Sequence, residues 1–215
     1  MKDFVEVLNM YNEFGAGFLE VDRSDPVSEI HVLNLEISKC KKCPLYKSKK
    51  NYVPGEGSIN PDIIFIGEGP GETEDQFGKP FIGKAGQLLE KIIKKMGYTR
   101  ETVFIGNIVK CRPPNNRDPL KSEVDACIPY LKRQLAILNP KVIVCLGRVA
   151  LNNLLNENYA ISRVRGNLFK YGDIPLIPTY HPSYILHKRD RNEISKVKWE
   201  MWSDMEKVLK IVHEG

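Results

Sequence analysis

Apolar residues gather in three short runs: Ile63-Ile-Phe-Ile66 directly after Asp62, the segment Val103 to Val109, and Val142-Ile-Val-Cys-Leu146. Runs of this length, rich in β-branched residues, predict strands buried on both faces. Between them the apolar period changes to that of a helix. Helices are expected from about Ala85 to Met96, closed by Gly97, and from Glu123 to Leu138, interrupted near Pro129. Another follows the third run to about Asn156. A last one spans Asn192 to His213, with Ile194, Val197, Met201, Met205, Val208 and Val212 along one side. Shorter strands are expected near Val164–Tyr171 and Leu176–Thr179. Upstream, Phe4, Val5, Leu8 and Tyr11 predict a helix over residues 1 to about 15, ended by Gly15-Ala-Gly17. A second, from Pro26 to Ile37, delivers the chain to Cys40. Apolar strands alternating with helices imply an α/β protein with a parallel sheet covered on both faces. Ligand sites in such folds lie at the carboxyl ends of the strands. Three loops meet that condition: Gly67–Phe81, Asn107–Arg117 and Tyr180–Leu186.

Composition narrows the class. A chain of 215 residues with 27% charged and 42% apolar positions suits one globular domain with a real core. No stretch of about 18 apolar residues occurs, so no membrane association is expected. The N-terminus lacks the apolar core of a signal peptide, which predicts a cytoplasmic location. Scarce Gln beside plentiful Lys and Glu points to a thermophilic prokaryote. The net charge of +5 permits a polyanionic partner. Basic residues cluster at Lys47–Lys50 and Lys188–Arg191, which reads either as solvated surface or as a polyanion contact. No internal repeat is visible, and a monomer is expected.

Five cysteines in a chain of this kind do not predict disulfides. Cys40-Lys-Lys-Cys43 is a close pair, and Cys111 and Cys127 follow with fifteen residues between them. Cys145 sits inside an apolar strand and reads as a core thiol. Four thiolates suit tetrahedral zinc or a [4Fe–4S] cluster. A zinc ribbon usually offers two close pairs, and only one exists here, so the spacing favours the cluster. In either case the metal would pin residues 40–43 to the region 111–127.

The most specific segment is Gly67-Glu-Gly-Pro-Gly-Glu-Thr-Glu-Asp-Gln-Phe-Gly-Lys-Pro-Phe81. It follows a strand but is neither a Walker loop nor a dinucleotide fingerprint, and Glu68, Glu72, Glu74 and Asp75 would repel a polyphosphate. Glycines with nearby carboxylates suit water activation or a developing positive charge. His181-Pro-Ser183, after the last strand, is the second motif. Together with Cys40-x2-Cys43, Gly78-Lys-Pro-Phe-Ile-Gly-Lys-Ala-Gly86 and Asn107-Ile-Val-Lys-Cys-Arg-Pro-Pro114, these residues resemble the family 4 uracil-DNA glycosylases, the iron–sulfur branch of that superfamily. The resemblance runs from about Cys40 to the C-terminus. Residues 1–35 match nothing in it and are expected to form a helical extension to a glycosylase domain over 36–215.

The resemblance implies a three-layer α/β/α fold around a four-stranded parallel sheet, with a [4Fe–4S] cluster on Cys40, Cys43, Cys111 and Cys127. Substrate would be DNA containing uracil, double- or single-stranded, and free uracil a product. Phe81 would stack on the extruded base, Asn107 would read its Watson–Crick edge, and His181 would donate to uracil O2. Glu68 is the candidate for activating water. Gly67, Gly69, Glu74 and Ser183 complete the expected substrate site. Family 1 enzymes carry a water-activating Asp where Gly69 stands, so Glu72 and Glu74 are alternative bases. Ile185 or Leu186 would fill the space vacated in the duplex, and Lys188, Arg189 and Arg191 would meet phosphates. A sister family traps its product through a His in an inserted loop; Arg112–Glu123 is short and has no His, so turnover is expected. A sliding clamp is a conceivable partner, although no clear motif for one is present. Two other readings remain: a non-catalytic iron–sulfur nucleic-acid-binding module and a zinc-stabilised nucleoside hydrolase.

Overall fold

The computed structural model describes residues 25–214. The helix expected over residues 1–15 lies outside them. Four parallel strands form the middle of one sheet: β2 (Ile63–Gly67), β3 (Phe104–Asn107), β4 (Val142–Leu146) and β6 (Ile174–Thr179). Two short antiparallel strands, β1 (Glu56–Gly57) and β5 (Phe169–Tyr171), extend it to six, in the order β1-β3-β2-β4-β6-β5. The expected four-stranded sheet is thus the parallel centre of a larger mixed one.

Alternation along each strand sorts the core into two halves. Ile64 and Ile66 of β2, Ile143 and Cys145 of β4 and Leu176 of β6 face one side. That side is covered by α1 (Pro26–Ser38), α4 (Lys121–Leu138) and α5 (Arg148–Leu155). Ile63, Phe65, Val142 and Val144 face the other, against α3 (Lys84–Lys95) and α8 (Arg191–Glu214). A helix layer on each face of a largely parallel sheet makes a three-layer α/β/α fold.

Helix boundaries follow local chemistry. Asp25 caps α1, its carboxylate accepting from the Ser28 N–H at 3.1 Å, and Pro26 occupies the first helical position. Ile30, Leu33 and Ile37 of α1 join the same core cluster as Tyr130, Leu131 and Leu135 of α4, so the boundary drawn at residue 35 falls inside a packed helix. α4 runs through Pro129 without a break, in contrast to the interruption expected there. A proline inside a helix costs about 3 kcal/mol; Cys127, Tyr130, Leu131 and Leu135, buried on either side of it, hold the helix together. Two short helices have no apolar period to announce them: α2 (Glu72–Phe77), inside the acidic loop, and α7 (Ser183–Leu186), after the His-Pro pair; the one-turn α6 (Ile161–Val164) lies where a strand was expected to begin. Among the described residues, no helix is long and apolar enough to cross a membrane.

Candidate active site

The register of the central strands lines up their tips. Gly67 lies directly beside Asn107, and Leu146 beside Thr179. The chain leaving these tips encloses a cleft of about 810 Å³. Glu68, Gly69 and Glu74 from the first loop, Phe81, Asn107 from β3, and His181 and Ser183 after β6 all line it. The three loops singled out in the sequence therefore converge on one cavity.

Gly67 itself lies beneath this cavity and makes it possible. A Cβ at that position would sit 2.5 Å from Phe81 Cζ and 2.6 Å from Asn107 Oδ1, so only glycine lets the ring and the amide close over the strand. Phe81 is 6% exposed and adopts φ +50°, a costly backbone state for a bulky residue. Its ring centroid is 5.6 Å from that of His181, with the planes at 37°. Asn107 is 1% exposed, and its Oδ1 has no hydrogen-bond donor among the described residues. A buried acceptor without a partner costs about 1–3 kcal/mol, which makes this oxygen a waiting half of a contact.

His181 has its orientation set by its own motif. The Ser183 N–H donates to Nδ1 at 3.2 Å, and the Ser183 hydroxyl lies 2.6 Å from the same nitrogen. Nδ1 is therefore an acceptor, which leaves the proton of the neutral ring on Nε2. Burial, opposed weakly by the Glu74 carboxylate, pushes the imidazole down to about 4, so the neutral form prevails near pH 7.

The carboxylates separate by environment. Burial, with help from the Asp118 charge and against that of Arg148, pushes Glu68 up to about 7. Glu74 is committed elsewhere: its Oε1 accepts from the Ile82 and Gly83 N–H groups at 2.9 and 2.8 Å, tying α2 to the chain around Phe81. Glu72 points out of the cleft toward Arg112, at 3.6 Å. At Gly69 a Cβ would meet Val109 Cγ2 at 2.7 Å, so this backbone leaves no room for a carboxylate there.

A second, smaller cavity holds the thiols. Cys40, Cys43, Cys111 and Cys127 line it together with Tyr52, Lys110 and Tyr130. Cys145 lies apart, fully buried in β4. Burial, reinforced by the neighbouring thiols, pushes Cys111 up to about 12; burial likewise raises Cys127 to about 11, with Lys110 opposing. Among the described residues no group of three or more His, Cys, Asp or Glu side chains is arranged to hold a metal ion. Four thiols lining one cavity, with no disulfide among them, are a donor set of the kind that an iron–sulfur cluster takes. Lys110 joins this cavity to the first. Its N–H donates to Cys127 Sγ at 3.3 Å, and its buried Nζ donates to the Asn107 carbonyl at 2.9 Å and to Gln134 Oε1 at 2.7 Å.

Residues 54–206 match the family model described as the Uracil DNA glycosylase superfamily. The chain belongs to this superfamily. It is 43% identical over 185 residues to a Type-4 uracil-DNA glycosylase of Thermotoga maritima, covering 85% of this chain and 94% of that one. A Type-4 enzyme of Archaeoglobus fulgidus is 45% identical over 181 residues, 80% of this chain and 88% of its own. One of Saccharolobus solfataricus is 49% identical over 161 residues, 71% and 74%. A Type-5 uracil-DNA glycosylase of Pyrobaculum aerophilum is more distant, at 28% over 148 residues. Within the superfamily the chain thus groups with the Type-4 members.

For this glycosylase-superfamily site the structure also separates the residues expected to meet DNA. Ile185 is corrected: it is 7% exposed and packs with Tyr180, Val197 and Met201, so it cannot act as a wedge. Leu186, one residue on, is 46% exposed. Arg189 and Arg191 are exposed; Lys188 pairs with Glu193 at 3.3 Å and lies over the Tyr184 ring. Several cleft residues carried no recognisable motif: Asn116, Asp118, Arg148, Tyr180 and His187. Asn115 and Asn116, both with φ +54°, are the one local signal, since asparagine tolerates the left-handed region. The Asp118–Arg148 pair, at 2.7 Å, joins residues far apart in sequence and has no such signal.

Proposed function

We propose that the chain removes uracil from DNA by hydrolysing its N-glycosidic bond, leaving an abasic site, and that the strand-tip cleft is where this happens. The observation that carries the reading is the buried, unpartnered Oδ1 of Asn107 in the cleft that Phe81 and His181 also line. Uracil flipped from the stack supplies the missing donor through N3–H, while O4 accepts from the Asn107 amide. Cytosine presents an acceptor at N3 and leaves Oδ1 unpaired, a mismatch that discriminates strongly in a buried site. Phe81 supplies a stacking face, which contributes about 1–3 kcal/mol per base without reading sequence. Extrusion itself costs a few kcal/mol and is easiest at a mispaired base.

Breaking the C1′–N1 bond leaves positive charge on the sugar and negative charge on the leaving uracil. His181 donates from Nε2 to uracil O2 as that charge grows, with Nδ1 held by Ser183. Glu68 orients the water whose oxygen forms the new bond to C1′; the water proton passes to the carboxylate. Leu186, whose side chain is exposed, enters the vacated space. Cys40, Cys43, Cys111 and Cys127 would hold a [4Fe–4S] cluster, which supplies a crosslink between two distant segments and no step of the reaction.

The test is release of free uracil from a synthetic duplex carrying one U:G pair. Wild type should release it; His181→Ala and Glu68→Ala should lose most activity while retaining DNA binding. Full activity in both variants would remove the assignment.

A further inference from the structure

We infer that Arg100, anchored by Glu56, is a positioning residue for the base-stacking face, although neither residue lines the cleft. The inference rests on the reading of Phe81 given above. Arg100 sits in the connection between α3 and β3. Its Nη1 donates to the Phe81 carbonyl at 2.9 Å and its Nη2 to the Pro80 carbonyl at 2.6 Å. The same guanidinium is held by one carboxylate oxygen of Glu56, at 3.1 Å from Nε and 2.5 Å from Nη2. Glu56 belongs to β1, the two-residue edge strand paired with β3.

The left-handed backbone of Phe81 needs such restraint. A residue in a sparsely populated conformation persists only where its surroundings over-determine it. Three restraints surround this one. Arg100 fixes the carbonyls of residues 80 and 81. Glu74 takes the two N–H groups that follow. Gly86 admits the Phe81 carbonyl, because a Cβ there would lie 1.9 Å from that oxygen. Of the three, only Arg100 ties the aromatic wall to the sheet edge rather than to its own loop. A guanidinium suits this task because its planar fork spans two carbonyls and a carboxylate at once, which a lysine cannot do.

The experiment is a double-mutant cycle on uracil release under single-turnover conditions, with Arg100→Gln, Phe81→Ala and both together. A displacement of the stacking ring by about 1 Å should lower kcat/KM for Arg100→Gln by about ten- to a hundredfold. In the Phe81→Ala background the same change should cost close to nothing, since the ring it positions is gone. Glu56→Gln, which keeps an acceptor and the shape, should show a smaller loss in the same direction with an unchanged unfolding midpoint. Inhibition by free uracil should weaken in step with the loss for Arg100→Gln. Equal fold-losses in the two backgrounds would overturn the inference while leaving the stacking role intact. Full activity of Phe81→Ala would overturn both, and wild-type protein that releases no uracil would overturn the proposed function itself.

Discussion

At the residue scale, pH separates the two groups assigned to the chemistry. Burial leaves His181 neutral down to about 4 and holds Glu68 protonated up to about 7. If the Glu68 carboxylate orients water, single-turnover activity rises between pH 5.5 and 8 with a midpoint near 7, and His181 contributes no limb in that window. Glu68→Gln should abolish the rise; an unchanged pH profile in that variant would assign the limb elsewhere. Stability should move the other way. A carboxyl raised in the folded state binds its proton more tightly there than when unfolded. Its favourable contribution is present below the unfolded value of about 4.5 and is lost as pH climbs through about 7. Glu68→Gln should therefore gain more in thermal midpoint at pH 8 than at pH 5, which calorimetry at the two values checks. His181→Ala removes one donor aimed at developing charge and should cost about 10²–10³ in rate. Ser183→Ala should cost less, because the Ser183 N–H still holds Nδ1.

At the scale of elements, the links between strands and helices place these side chains. Lys110 follows β3 and reaches across to α4, and Gln134 passes the contact on to the Pro54 carbonyl at 2.9 Å. Lys110→Met should leave the Asn107 carbonyl and Gln134 Oε1 without a donor, at about 1–3 kcal/mol, measurable as a lower denaturant midpoint with unchanged slope. A midpoint within error of wild type would mean that water takes over both contacts. Legibility in the sequence follows the same division. β2 and β4 are nearly continuous apolar runs, and their ends can be read to within a residue. The long helices α3, α4 and α8 carry enough apolar turns to be recognised. What escaped is held by single tertiary contacts. β1 is two residues long and polar, α2 rests on Glu74 and Asp75 capping distant backbone, and α4 survives Pro129 through burial that no local propensity describes. The site divides likewise. Glu68, Phe81, Asn107 and His181 stand in recognisable segments, whereas Asp118, Arg148 and Arg100 matter through partners far away in sequence. Ile185 and Leu186 could not be told apart until α7 turned one inward.

At the scale of the whole molecule, a cluster in the four-thiol cavity, as proposed above, would tie the chain together away from the cleft. Cys40 and Cys43 follow α1, Cys111 follows β3 and Cys127 lies on α4, so a metal group there would close long loops between residues 40 and 127. A crosslink of that reach stabilises by about 2–4 kcal/mol, chiefly by restricting the unfolded chain. For a chain of this size that is on the order of 10 °C in thermal midpoint. Cys43→Ser should therefore lose the brown colour of an iron–sulfur protein and melt on the order of 10 °C lower. Cys145→Ser, in the centre of β4, should keep the colour and lose stability only through a buried hydroxyl. Well below the lowered midpoint, Cys43→Ser should still release uracil within about tenfold of the wild-type rate, because Glu68, Phe81, Asn107 and His181 are held by strand register and by Arg100, Glu74 and Ser183. Lys110 links Cys127 to the Asn107 carbonyl, so loosening at the thiols can reach Asn107 through it, and any larger loss should show as weaker rejection of cytosine. Complete inactivity of folded, colourless Cys43→Ser with bound DNA would show that the metal group takes part in the reaction and not only in the fold.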